Sequence, residues 1–336
     1  MVAGTGGEAK RSNGTGSGPV KNPRKLLKYA LHIAVLAGVV WAGMKTIDGD
    51  QFSRALHNFN WVYAPFVALL GILSMVVKSW RFATLLKEVN DVPRTVAMKA
   101  YVAGQSMTLL PGGIAARAGL LEQVGIPAEK SSPAIAMSSV SDQIGFLICG
   151  IIASFYFEPA RKPVMILLAV LAVVAIVLCV EASRSWLSRL VEKLLGRFNL
   201  ADRWRGFVHS MGETLSVRVV AVGLGNTLVS FALLVFALHL CMAGVGHPVP
   251  PLSLLLAFAV PTMLGRISAL PGGVGVTEVG MVGVLDRVPG VSLDNAAAAV
   301  LVFRIATVLV TALVGAVIYF FSWRKVAQKG RRAVAT

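Results

Sequence analysis

Residues 251–289 read PLSLLLAFAVPTMLGRISALPGGVGVTEVGMVGVLDRVP, and residues 95–127 read TVAMKAYVAGQSMTLLPGGIAARAGLLEQVGIP. Both stretches are apolar, and both are interrupted by the same four letters. Leu110-Pro111-Gly112-Gly113 and Leu270-Pro271-Gly272-Gly273 stand 160 residues apart. Proline lacks an amide hydrogen and glycine opens the backbone, so Pro-Gly-Gly ends a helix. Each tetrapeptide is followed by a second, short, small-residue-rich helix candidate and then by a long apolar run. A helix broken at membrane depth persists only where protein or a water-filled cavity covers its free backbone groups. The two stretches therefore read as re-entrant helical hairpins, with breaks at Pro111, Gly112 and Gly113 and at Pro271, Gly272 and Gly273. The alternative is two pairs of full-length helices joined by Pro-Gly turns at the surface.

The surrounding sequence places these hairpins in a membrane. Of 336 residues, 56% are hydrophobic and 14% charged, against about 25% charged in an ordinary soluble domain. The apolar residues fall in blocks long enough to cross a hydrocarbon core of about 30 Å as helices of roughly 20 residues. These are Leu26–Met44, Trp61–Val77, Ser132–Phe157, Pro163–Val180, Val217–Met242 and Asn295–Trp323. The expected fold is all-α and polytopic, with about six full spans and two hairpins, about eight hydrophobic segments in all.

Basic residues orient the chain. Lys10, Arg11, Lys21, Arg24, Lys25 and Lys28 precede the first span, Arg184 to Arg205 fill the central linker, and Arg324 to Arg332 close the chain. Cytoplasmic segments are enriched in lysine and arginine. Both termini are thus expected in the cytoplasm, in a cytoplasmic (inner) membrane. The stretch Lys78, Arg81, Lys87 and Arg94 reads as the inner flank of the second span, and the uncharged loop Gly244–Pro250 as external. Three spans separate the hairpins, so they should enter from opposite sides, as in transporters built from inverted repeats. The expected organisation is a basic disordered tail over 1–24 and a membrane domain over 25–325, with repeats at about 61–180 and 217–323. The linker 181–216, with Trp186 and Leu187 among basic residues, is expected to lie on the inner surface. Residues 326–336 form a second basic tail.

The formal charge of +16 is explained by this topology, and no nucleic-acid-recognition motif accompanies it. Cys149, Cys179 and Cys241 sit singly in apolar segments and read as small buried hydrophobes, without the spacing of a metal site or disulfide scaffold. There is no Walker A loop, HExxH, GxSxG or GxGxxG in a strand-to-helix setting. No cofactor is expected, and a transporter is expected rather than an enzyme.

Ionisable groups inside the membrane cost roughly 2.5–3.5 kcal/mol or more at the bilayer centre, so each is a functional candidate. Asp142 lies in a span, one turn after Ser138 and beside Ser139 and Ser141. Arg304 lies about ten residues into the last span. Glu278 follows the second break and Arg266 precedes it; Arg117 and Glu122 follow the first break, with Gln105 upstream. Glu278, Arg304, Asp142, Arg117, Glu122 and Arg266 are therefore the expected substrate-binding and translocation residues. The expected partner of Arg304 is Glu278 first and Asp142 second; a pair that only locks helices is the structural alternative. His239 reads as a satisfied helix histidine or an interface residue, with a proton relay as the alternative.

The run Leu270-Pro271-Gly272-Gly273-Val274-Gly275-Val276-Thr277-Glu278, followed by Phe303-Arg304-Ile305, resembles the signature of the lysylphosphatidylglycerol synthase transmembrane, flippase-like family. Leu110-Pro111-Gly112-Gly113 with Arg117, Leu120-Leu121 and then Asp142 is similar to the first half of that domain. The chain departs from it at Ile114, where the resemblance leads one to expect an acidic residue ahead of Arg117. The resemblance covers roughly residues 25–325. It implies movement of a lipid between leaflets: an aminoacylated or anionic phospholipid, or a polyprenyl-linked sugar. It also implies a lipid-modifying synthase as a separate partner, and an oligomer is compatible with it. Under that reading Glu278 and Asp142 would meet a cationic or hydroxyl-rich headgroup and Arg304 a lipid phosphate. The rival readings are an intramembrane transferase acting on a lipid carrier, a scaffold for an envelope-lipid synthase, and a small-solute transporter.

Overall fold

The computed structural model describes residues 49–108, 113–156, 217–268 and 270–328, with isolated positions between 161 and 189. The expected spans 26–44 and 163–180, the surface helix over 181–217, the two tails, and Pro111 and Gly112 of the first break lie outside the described residues, apart from those isolated positions and the ends at 217 and 326–328.

The described residues are helical, without strands. A short helix, α1 (Gly49–His57), leads into the long α2 (Tyr63–Lys87). The first hairpin is α3 (Arg94–Gln105) and α4 (Gly113–Glu122), followed by α5 (Ala128–Tyr156). The second half repeats this order with the long α6 (Val217–Gly244), the hairpin helices α7 (Pro251–Ile267) and α8 (Val276–Leu285), and the last helix α9 (Leu293–Gln328). Helices α2, α5, α6 and α9 are long and apolar enough to cross a membrane, while α7 and α8 are apolar but short. The chain is a multi-pass helical membrane protein.

Helix α2 shows how one sequence serves two environments. Phe66, Leu69, Leu73, Val76 and Trp80 form an exposed stripe, and Val67, Gly71, Ser74, Met75, Arg81, Phe82 and Leu85 form the buried one. Both follow the 3.6-residue period of a helix. The helix runs unbroken to Lys87. The expectation that Lys78 and Arg81 belong to an inner basic flank is therefore corrected. Both sit within the helix, on or beside its buried stripe, because Phe82, Leu85 and Leu86 continue the apolar pattern beyond them.

Helix α9 carries an exposed stripe at Leu301, Ile305, Leu309, Leu313, Val317 and Phe321, every fourth residue. On a regular helix of 3.6 residues per turn, five such steps would drift by roughly 200° around the axis. Two π-helical turns, Ile305–Leu309 and Tyr319–Trp323, interrupt α9. Each adds about one residue, worth roughly 100° of rotation, so together they return the stripe to one face. The first begins immediately after Arg304.

Antiparallel packing of α2 on α6 forms the centre, with the Asn60 amide donating to the Gly244 carbonyl at 2.8 Å. At that end Phe59 and Met242 share a core with Val249 and Leu254, where α7 begins, and with Leu285, Val288 and Val291, where the second hairpin leaves. At the opposite end Leu85, Leu86 and Val219 share a core with Ala97 of α3, Leu121 and Ile126 at the exit of the first hairpin, and Trp323. The two hairpins thus enter from opposite ends of the α2–α6 pair. Their packing is also reciprocal. The first hairpin lays α3 against α9 of the second half, and the second lays α7 against α5 of the first.

The second break is a tight turn over Pro271–Gly273, with Gly272 at φ 63°, Gly273 at φ 69° and Gly275 at φ 91°. Three left-handed residues within four positions need glycine, since a Cβ there meets the following carbonyl. Gly315 answers a different need. A Cβ at this position of α9 would lie 2.6 Å from the Val102 carbonyl oxygen and 2.8 Å from the Ser106 nitrogen. Replacing Gly315 with alanine should therefore push α3 off α9 and cost about 1–3 kcal/mol, as overpacking does. Gly283 of α8 faces open space, so Gly283→Ala should be neutral or stabilise by up to about 1 kcal/mol. Thermal unfolding of the two variants in detergent checks the contrast. Equal loss at both positions would argue against the close approach of α3 and α9.

Candidate functional site

The helices of the first hairpin, the second break and the inner stripes of the long helices meet around a cavity of about 550 Å³. Ser74 and Lys78 of α2, Tyr101 and Gln105 of α3, and Arg117 of α4 line one side. Ser138, Asp142 and Gln143 of α5 and Thr262 and Arg266 of α7 line the other, and Gly272, Arg304 and Thr307 complete the wall. Aromatic rings form part of the lining and its backing. Phe146 stacks on Phe231 with centroids 4.3 Å apart, Arg266 sits 5.1 Å over Phe146, and Lys78 sits 5.4 Å over Phe231.

Asp142 organises one wall. Its Oδ1 accepts from Arg81 Nη1 at 2.6 Å, and its Oδ2 from Arg266 Nη1 at 2.7 Å. Arg81 is 1% exposed and spends its other Nη donors on neighbours, while its Nε is buried without an acceptor. Nη2 donates to the Ser138 hydroxyl at 2.7 Å and the Ser138 carbonyl at 3.1 Å, and Nη1 donates to the Thr227 hydroxyl of α6. Arg266 is looser, with its side chain 35% exposed. One carboxylate thus ties α2, α5 and, through Arg81, α6 to the second hairpin.

The second cluster pins the break. Glu278 Oε1 accepts from Arg304 Nε, and Oε2 accepts from the Gly275 amide at 2.6 Å. The Gly275 amide precedes the first turn of α8, so the carboxylate caps the helix. Arg304 Nη2 donates to the Gly272 carbonyl at 3.1 Å. Carbonyl and amide groups freed by the Pro-Gly-Gly turn are therefore met by one ion pair, as broken backbone inside a membrane requires.

The first hairpin is built differently. Arg117 Nη2 donates to Gln105 Oε1 at 2.6 Å, and the guanidinium lies 4.0 Å over the Tyr101 ring. No carboxylate reaches it among the described residues, and its Nε is buried without an acceptor. Gly104 makes room for it, since a Cβ there would lie 2.6 Å from Arg117 Cγ.

Five of the six expected site residues, Glu278, Arg304, Asp142, Arg117 and Arg266, converge on this region. Glu122 does not. It is exposed at the end of α4, close to the entry of the first hairpin, because a ten-residue helix starting at Gly113 carries it away from the tip. Arg304 pairs with Glu278, the first of the two partners expected for it, whereas Asp142 pairs with Arg81 and Arg266. Lys78, Arg81 and Thr227 are the residues missed by sequence reasoning. For Lys78 and Arg81 the signal was the inner stripe of α2, where Gly71 and Ser74 already mark a polar, closely packed face; Thr227, on α6, carried none. His239 keeps a buried Nδ1 without a partner and stacks beside Phe236, outside the cavity.

The two ends of the Asp142 bridge should differ in energy. Breaking a buried pair leaves an uncompensated charge and costs about 3–5 kcal/mol, whereas a partly exposed pair contributes about 0–1 kcal/mol. Asp142→Asn, which strands Arg81, should therefore lower the unfolding free energy by about 3–5 kcal/mol. Arg266→Gln should change it by about 1 kcal/mol or less. Chemical denaturation in detergent checks the ranking, and an inverted order would refute Arg81 as the structural partner.

Comparison with known proteins agrees with this architecture. Residues 29–315 match the lysylphosphatidylglycerol synthase TM region. A UPF0104 membrane protein of Methanothermobacter thermautotrophicus is 24% identical to the chain over an alignment that covers 89% of this chain and 94% of the relative. The match takes in all four long helices, through Gly315 of the last, both hairpins and every cavity residue described above, and the chain belongs to the lysylphosphatidylglycerol synthase transmembrane-region family.

Proposed function

We propose that the protein is a translocase that moves a polar-headgroup lipid between the leaflets of the cytoplasmic membrane, with both termini in the cytoplasm and the two halves forming an inverted repeat. The observation that carries this reading is the polar cavity of about 550 Å³ held between two broken hairpins inside an apolar helical frame. A charged headgroup crosses hydrocarbon slowly because each charge there costs kilocalories, and fixed polar groups at the crossing point lower that cost. Opposed entry of the hairpins supports two-sided access, because each hairpin comes to the cavity from its own end of the α2–α6 pair. The exposed stripes of α2 and α9 leave apolar surface on which acyl chains can lie outside the cavity.

The carboxylates take a different role from the one the sequence led us to expect. Asp142 and Glu278 are both held by guanidinium groups, so their part is to position arginines and the break, and a cationic headgroup finds no free acid among the described residues. A carrier is favoured over a transferase for the same reason, since neither carboxylate is free to act as a base. The lipid itself would be made by a separate synthase.

Purified protein in liposomes should accelerate leaflet exchange of tail-labelled phospholipids over protein-free vesicles. Thr262→Phe, which fills the cavity from α7 while leaving both ion clusters intact, should return exchange to background in protein of unchanged thermal stability. Exchange unaffected by the filled cavity would reject this route. Orientation is checked separately in a background lacking Cys149, Cys179 and Cys241. Pro248→Cys, beside the second hairpin, should react with an impermeant maleimide from outside, and Glu122→Cys, beside the first, only after permeabilisation. Labelling of both from one side would dismantle the inverted arrangement.

A further inference from the structure

The cavity is not electrically balanced. Among the described residues, Lys78, Arg117, Arg266 and Arg304 line it with four positive charges and Asp142 with one negative one, while Arg81 and Glu278 stand behind the wall as the partners of Asp142 and Arg304. Three of the cations are paired. Arg81 and Arg266 share Asp142, and Arg304 holds Glu278. Lys78 and Arg117 have no carboxylate within salt-bridge distance among the described residues.

Resting on the translocase reading, we infer that Lys78 and Arg117 form the phosphate seat of the cavity. The transported lipid then carries a phosphomonoester or diphosphate headgroup, not a zwitterionic or cationic one.

Three observations lead here. The lysine ammonium has three donors and the arginine five. Lys78 meets only the face of Phe231, and Arg117 spends one Nη on Gln105 and stacks on Tyr101 while its Nε stays buried without an acceptor. Uncommitted donors of this kind, on side chains that border a partly open cavity, are what a multiply charged oxyanion satisfies. The second observation is electrostatic. Lys78 lies within reach of the charge of Asp142, but also of those of Arg266, Arg81 and Arg117, and Asp142 is already shared by two of these arginines. Positive charge is therefore in surplus around Lys78, which favours an anion and disfavours a cationic aminoacyl group. The third is the neutral lining. Gln143 and Thr262 line the cavity, and Gln143 Oε1 and Thr262 Oγ1 are buried without partners; the amide oxygen can accept from a headgroup hydroxyl and the threonine hydroxyl can donate to an ester or phosphate oxygen. Arg266, the loosest member of the Asp142 triad, is placed to exchange its carboxylate partner for the arriving phosphate.

The test uses the full chain in liposomes with three tail-labelled lipids: phosphatidic acid, phosphatidylcholine and an aminoacylated phosphatidylglycerol. Phosphatidic acid should exchange at least tenfold faster than the other two. Lys78→Gln or Arg117→Gln should cut that preference about tenfold. Lys78 is half-buried, so its variant carries the test if Arg117→Gln fails to fold. Equal exchange of all three lipids, or equal slowing of all three by the variants, overturns the phosphate seat and leaves the translocase standing. No exchange of any lipid by folded protein sinks the translocase instead. The seat is then judged by thermal stabilisation of detergent-solubilised protein. Stabilisation by short-chain phosphatidic acid over phosphatidylcholine, lost in Lys78→Gln, supports it; equal stabilisation overturns it. Inorganic phosphate alone stabilising as strongly as phosphatidic acid would overturn a lipid as the source of the anion.

Discussion

Asp142 is the point through which the two halves of this protein are coupled. A lone carboxylate among apolar helices is costly, and so is a lone arginine. Here one carboxylate meets two guanidinium groups, one on each side, and the more buried of these also bonds Ser138 and Thr227. Nearly every donor of Arg81 is thereby used, and α2, α5 and α6 are fixed in register. Arg266 brings the tip of the second hairpin onto the same oxygen pair. The two contacts differ in exposure, 1% for the Arg81 side chain and 35% for that of Arg266. The bond that holds the frame is thus sealed, while the bond that holds the hairpin opens to the cavity.

The same economy appears at the second break. A Pro-Gly-Gly turn frees backbone groups that hydrocarbon will not accept. Glu278 takes the Gly275 amide and Arg304 gives to the Gly272 carbonyl, and the two side chains neutralise one another. The π-helical turn that starts at Ile305 then re-phases α9, so that one helix can present Arg304 to the break and an apolar stripe outward. A regular helix of this length would have turned part of that stripe into the cavity.

Much of this was legible in the sequence. The second break announced itself because proline and two glycines in an apolar run have few other uses. The order of hairpin and span followed from hydropathy, and Arg304 with Glu278 followed from the cost of an unpaired charge. Arg81 and Lys78 were read wrongly for a physical reason. Positive charge at the end of an apolar block marks a membrane flank in most chains, and periodicity alone does not say whether a helix stops there or continues inward. Glu122 failed through length, since ten residues of α4 carry it back toward the hairpin entry. The bond from Arg81 to Thr227 joins residues 146 positions apart and left no local trace.

The departure at Ile114 has its counterpart in three dimensions. In the second half the arginine at the break is neutralised by a carboxylate that also caps the following helix, and both are committed to structure. In the first half the arginine leans on an amide and an aromatic face, Gln105 and Tyr101, neither of which cancels its charge. Two hairpins of the same design are thus tuned to opposite ends. One is locked and neutral, and the other is held in place with its charge available. A cavity between two locked hairpins would be a brace, and one between two free arginines would lack a fixed wall. On the translocase reading proposed above, this asymmetry would give a charged ligand one fixed wall and one wall with charge to spare.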